Sequence, residues 1–163
     1  MQNVTKLVIL FALVFSFGCK KEDPELTPPV ITFVDANISS STSSAIVKFD
    51  FLDKDGDLGL YQEENTGEQE HNVFVDYYEK INGVWTLKSP IITYNITLNE
   101  YDTLGLNLRF PFLENEAQRA LQGDVVVDLL FNFNADTFRY DIYIKDRAFQ
   151  KSNVITTSDL IVN

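Results

Sequence analysis

Asp53-Lys54-Asp55-Gly56-Asp57-Leu58-Gly59 sets three carboxylates at alternate positions around a glycine, directly after an apolar run that ends at Leu52. Calcium takes about six to eight oxygens in irregular geometry, so a loop of this kind can supply Asp53, Asp55 and Asp57 as ligands, together with backbone carbonyls. The EF-hand frame does not fit. With Asp53 at its first position the glycine position holds Leu58, and with Gly56 as that glycine the two end-ligand positions hold Phe51 and Gln62. The competing reading is a solvated turn in which Gly56 adopts a positive φ and the aspartates bond nearby amides. Local charge speaks for a cation: Asp50, Asp53, Asp55, Asp57, Glu63, Glu64, Glu68 and Glu70 crowd one stretch against Lys54 alone. Like charges so close repel, and a divalent ion relieves the repulsion. Glu63 to Glu70 also reads as a long mobile surface loop.

Other chemistries find little support. His71 is the only histidine, and the domain has no internal cysteine to join it at a zinc or nucleophile site, so it reads as an exposed loop residue. Ser39 to Ser44 lacks a Gly-x-Ser-x-Gly elbow and a placed base and reads as a flexible turn. Paired carboxylates for glycoside cleavage must face one another across a cleft, whereas the acidic residues here share one loop. No glycine-rich phosphate loop is present. The protein is not expected to be an enzyme.

The elements that must position the acidic loop have a period of two. Val47, Phe49 and Phe51 alternate with Lys48 and Asp50, as in a strand with one packed and one wet face. The same pattern runs through Leu106 to Phe112, Val125 to Phe133, and Phe138 to Ile144. Further strands are expected at about Val30–Asn37, Asn72–Ile81, Val84–Lys88, Ile91–Leu98 and Val154–Val162. Pro111 has no amide hydrogen for a ladder and puts its strand at an edge or bulge. Turn signals at Asp55-Gly56, Asn82-Gly83, Gly123-Asp124 and Asn134-Ala135-Asp136 divide these runs, with Asn82-Gly83 the clearest hairpin. Only Leu113 to Leu121 favours helix. Seven to nine strands without a helical crossover predict an all-β, antiparallel β-sandwich of immunoglobulin or fibronectin III type over residues 30–163; a small closed β-barrel is the alternative. With no cysteine in that domain, burial must hold it, and the chain's 13 Phe and 7 Tyr supply the area.

The net charge of −11 grows by one unit when the leader, whose only charged side chain is Lys6, is set aside. Such a surface repels nucleic acid and anionic lipid, and suits cations or cationic partners.

Residues 1–18 have the layout of an export signal: Lys6, then apolar Leu7 to Phe17, then small Ser16 and Gly18 before Cys19, the only cysteine. The apolar run is about half the roughly twenty residues a spanning helix needs. The segment resembles the leader of bacterial lipoproteins, which implies acylation of Cys19 and a membrane held through lipid; cleavage by a general signal peptidase after Gly18 is the alternative. Residues 19–29, Cys19 followed by a polar stretch ending in Thr27-Pro28-Pro29, read as a stiff tether. Lys20-Lys21-Glu22-Asp23 resembles the export tag of Bacteroidota lipoproteins displayed on the cell surface, and reads equally as a solvated linker.

The Asp53 to Gly59 turn, Tyr140-Asp141-Ile142-Tyr143-Ile144-Lys145-Asp146-Arg147-Ala148 and Ser152-Asn153-Val154-Ile155-Thr156-Thr157 together resemble small Ig-like lipoproteins of Bacteroidota. The resemblance implies fold and an outer-membrane address but no activity. Asp146 either pairs with Arg147 to close the last hairpin or turns toward the Asp55 loop and joins a metal site. Tyr77, Tyr78 and Trp85, on and beside one hairpin, are candidates either for partner contact or for core packing. Two functions follow: a binding module for a protein or glycan partner, with calcium stiffening the acidic loop, or a passive envelope subunit.

Overall fold

Alternating apolar residues pair into ladders along most of the chain. The computed structural model describes residues 26–39, 44–113 and 120–162. The expected signal peptide, Cys19 and the first part of the tether lie outside the described residues, as do positions 40–43 of the serine run and 114–119 of the expected helix. The strands are β1 (Val30–Ser39), β2 (Ser44–Asp53), β3 (Val73–Ile81), β4 (Val84–Leu87), β5 (Ile91–Asn95), β6 (Glu100–Leu104), β7 (Leu121–Leu129), β8 (Thr137–Ile144), β9 (Ile155–Thr156) and β10 (Leu160–Ile161).

One sheet has the order β1-β2-β7 and a second the order β10-β8-β3-β4, with β9 also on β8; β5 and β6 form a separate ribbon. Every ladder is antiparallel. The sheets do not close into a barrel, so the architecture is a β-sandwich, with the strand order expected for the immunoglobulin and fibronectin III arrangement. The inner face of the first sheet supplies Val47, Phe49 and Phe51; the second supplies Val75, Tyr77, Phe138, Tyr140, Ile142 and Ile144. Phe49, Tyr77, Phe138 and Tyr140 are 0% exposed, and burial of each large apolar side chain contributes roughly 1.5–3 kcal/mol. Tyr140 donates its hydroxyl hydrogen to the Leu130 carbonyl at 2.9 Å, tying the start of β8 to the corner after β7 as a tyrosine corner does.

The Asn82-Gly83 hairpin forms as expected, with φ of 51° and 81° at its two central residues. Five expectations need correction. The strand expected over Val125 to Phe133 starts at Leu121 and stops at Leu129, and that over Val154–Val162 is broken into β9 and β10. Leu106 to Phe112 makes only isolated bridges, Leu108 with Val73 and Pro111 with Leu60, because the Asn72 side chain takes the Phe110 amide hydrogen at 2.6 Å and Pro111 has none to give. Gly123-Asp124 is no turn but lies inside β7, where Gly123 faces Phe51 and a Cβ would come within 3.0 Å of its ring. The expected strand from Ile91 to Leu98 stops at Asn95 and pairs with Glu100–Leu104, which the apolar pattern does not reveal.

Candidate metal centre

β2 ends at Asp53, and its register against β1 and β7 leaves the next residues at one end of the sandwich. Gly56 and Gly59 take φ of 75° and 103°, which folds the chain back so that Asp53, Asp55 and Asp57 converge. One oxygen from each of the three carboxylates lies within 4.8 Å of the others. Asp53 and Asp55 are buried and Asp57 is half-buried.

The loop after β8 brings Asp146 near enough for the Asp57 and Asp55 charges to act on it, outside the trio whose oxygens lie within 4.8 Å of one another. Its residues make a tight turn: Asp146 N–H donates to the Gln150 carbonyl at 3.2 Å, and Phe149, held at φ 63°, donates to the Asp146 carbonyl at 3.2 Å. The turn is fastened to the acidic loop by Arg147 N–H donating to the Asp57 carbonyl at 3.3 Å and Ala148 N–H to Asp57 Oδ2 at 3.2 Å.

All four carboxylates share one pattern. Asp53 Oδ2 accepts from Leu58 N–H at 2.7 Å, Asp55 Oδ2 from Thr27 N–H at 2.8 Å, Asp57 Oδ2 from Ala148 N–H, and Asp146 Oδ1 from Gln150 N–H at 2.7 Å. The second oxygen of each is buried and has no hydrogen-bond partner. Burial and the nearness of Asp55 push the Asp53 carboxyl up to about 7. Burial, with the charges of Asp57 and Asp55 adding to it, pushes Asp146 up to about 6. Asp57 is raised by burial and by the Asp55 charge. Without a counter-ion the charged forms are therefore disfavoured here, and the buried oxygens without partners are the donors a hard cation takes.

Arginines hold the rim. Arg109 donates to the carbonyls of Tyr61, Glu64, Gln69 and Glu70 at 2.7–3.0 Å, so the stretch expected as a mobile loop is laced through its backbone. Arg147 pairs with Glu64 at 3.0 Å and lies 4.2 Å from the Tyr61 ring centroid. The expected Asp146–Arg147 ion pair is thus corrected: adjacent residues on this turn point apart, Arg147 to Glu64 and Asp146 to the acidic loop. His71 is half-buried after the turn Gly67–Gln69.

Tyr77 packs in the core. The period of two puts it on the inner face of β3, where its ring meets Tyr140 and Phe138 and its hydroxyl donates to Glu79 Oε1 at 3.1 Å. Tyr78 and Trp85, on the outer face, are half-buried; the Arg139 guanidinium lies 5.6 Å from the Tyr78 ring and 4.4 Å from the Trp85 ring. An exposed apolar face, not visible in the sequence pattern, is offered by the β5–β6 ribbon, where Ile92, Tyr94 and Tyr101 are exposed, next to a groove of about 720 Å³ lined by Leu87, Leu104, Phe131 and Phe133.

No family model matches the chain, and no curated protein or solved structure is significantly similar to it.

Proposed function

We propose that the chain is an exported, lipid-anchored, non-catalytic binding module whose sandwich is stabilised by calcium at Asp53, Asp55, Asp57 and Asp146. The observation that carries the reading is the shared pattern of these carboxylates: one oxygen of each is fixed by a backbone N–H and the other is buried without a partner. Four unpartnered carboxylate oxygens from two loops suit a cation that accepts irregular, oxygen-rich coordination. The all-oxygen donor set favours calcium over zinc or copper, which prefer imidazole and thiolate. Export and the acyl anchor rest on the leader and Cys19, which is placed to receive lipid at the end of that leader.

The binding role is supported by the β5–β6 ribbon. Its outer face sets Ile92 opposite Thr103 and Tyr94 opposite Tyr101, with the two tyrosine rings 5.1 Å apart. A two-stranded ribbon is marginal alone in water, and an exposed apolar face on it suits a protein partner better than solvent. A sugar-binding role, and a passive envelope role, are the outcomes to test against it.

Calcium titration of the chain, read by thermal melting with and without chelator, tests the metal. A melting temperature that rises with calcium, and no longer rises after Asp55→Asn together with Asp57→Asn, is expected. No shift at millimolar calcium sinks the reading.

A further inference from the structure

The last residues of the tether enter the acidic centre. Thr27 N–H donates to Asp55 Oδ2 at 2.8 Å across 28 positions of sequence, and two residues later Pro29 is buried. The Thr27 hydroxyl, three bonds from that amide nitrogen, is itself buried and without a hydrogen-bond partner, as is the second oxygen of Asp55. A hydroxyl that both gives up water and finds no protein partner is costly unless something else fills the position. Independently, Asp146 is 2% exposed, and its Oδ2 has no partner either, although it arrives from the far end of the chain.

We propose that Thr27 supplies its hydroxyl oxygen as a further ligand of the metal, so that calcium fastens the tether to the domain. The inference rests on the calcium reading above and adds a ligand and a consequence to it. Calcium needs more oxygens than four carboxylates give when each lends one, and a neutral hydroxyl adds a donor without adding to the repulsion. Three segments then meet at one ion: the tether, the loop after β2 and the loop after β8. Just beyond Thr27 the chain is committed, because Ile31 N–H donates to Asn153 Oδ1 at 2.9 Å and Asn153 Nδ2 donates back to the Ile31 carbonyl at 2.8 Å. Without the ion the Thr27 junction is held by one hydrogen bond to a carboxylate among like charges. With it, the direction in which the tether leaves the domain is set, and with that the domain's attitude to the membrane.

The test uses the full chain. Thr27 is followed by two prolines, so its amide is the last exchange reporter before Val30. Its hydrogen exchange, read by NMR in calcium and in chelator, is expected to slow by roughly tenfold or more when calcium binds. Thr27→Val keeps the shape and the amide, removes the unpartnered hydroxyl, and is expected to melt at or above wild type in chelator while weakening calcium binding about tenfold, the factor corresponding to ~1.4 kcal/mol; Thr27→Ser restores the affinity. Wild-type affinity in Thr27→Val, or a Thr27 amide that exchanges alike in calcium and chelator while calcium still raises the melting temperature, overturns the clamp and leaves the calcium reading standing. A wild-type chain that binds no calcium overturns both.

Discussion

Asp57 holds Ala148 from 91 positions away: its carboxylate accepts the Ala148 amide hydrogen at 3.2 Å, so the acidic loop and the loop after β8 are one unit. The same carboxylate is raised by burial and by the Asp55 charge, and its Oδ1 lacks a partner. Asp57→Asn keeps an oxygen for the Ala148 N–H and removes a charge from the cluster. In chelator it should therefore melt at or above wild type, and in calcium below it by roughly 3 °C or more. Calorimetry of both proteins in both buffers checks the inversion; a variant that melts lower than wild type in chelator would show that Asp57 serves the fold alone.

Stability without metal should fall as pH rises. Asp53 is shifted from 3.8 to about 7 and Asp146 from 3.8 to about 6, so in this range the folded chain binds more protons than the unfolded one. The contribution is fully present below about pH 4 and is lost as pH climbs through about 7, at up to about 1.4 kcal/mol per pH unit for each proton. Melting in chelator from pH 5 to 8 should show a steady decrease. In saturating calcium the trend should reverse over the same range, because protons and the ion compete for the same oxygens. A rise with pH in chelator would contradict the burial-driven shifts.

Period-two alternation makes β2 and β8 legible, and their inner residues are buried in the core. The same signal misled at Leu106 to Phe112. Leu106 and Phe110 do bury their side chains, but a segment held by single bridges alternates as well as a laddered one. β6 has no apolar alternation to read, because in Glu-Tyr-Asp-Thr-Leu the only large apolar residues, exposed Tyr101 and half-buried Leu104, fall on opposite faces. Within the candidate site, Asp53, Asp55 and Asp57 were readable because they lie within one loop. Thr27 and Arg109 gave no local signal, since only the pairing of distant strands brings them to the acidic loop; Asp146 could be named as an alternative but not placed.

Arg109 should matter more to the loop than any acidic residue in it. Its guanidinium reaches four carbonyls between Tyr61 and Glu70, which a lysine ammonium on a longer-range point contact cannot match in number or plane. Arg109→Lys should cost about 2 kcal/mol, the scale of hydrogen bonds from a charged donor. Limited proteolysis within residues 62–70 should accelerate in the same variant. Unchanged melting and unchanged cleavage would mean that the loop holds itself.

Gly59 closes the acidic loop at a φ of 103°, and a Cβ there would stand 2.5 Å from the Pro111 carbonyl oxygen and 2.9 Å from the Phe112 Cα. Both neighbours are backbone, fixed by Leu60 N–H donating to the Phe110 carbonyl at 3.1 Å and Phe112 N–H to the Leu60 carbonyl at 3.0 Å. Neither can turn away as a side chain does. Gly59→Ala therefore adds a clash to a conformation that alanine avoids, and should cost about 3 kcal/mol or more. Gly83→Ala is the control, because its φ of 81° is also positive while nothing lies within 4 Å of the added carbon. The two variants differ in the clash, so denaturant unfolding should find Gly59→Ala the less stable by at least about 1 kcal/mol. Equal losses would mean that the backbone angle, and not the contact with Pro111, sets the requirement for glycine at the end of the acidic loop.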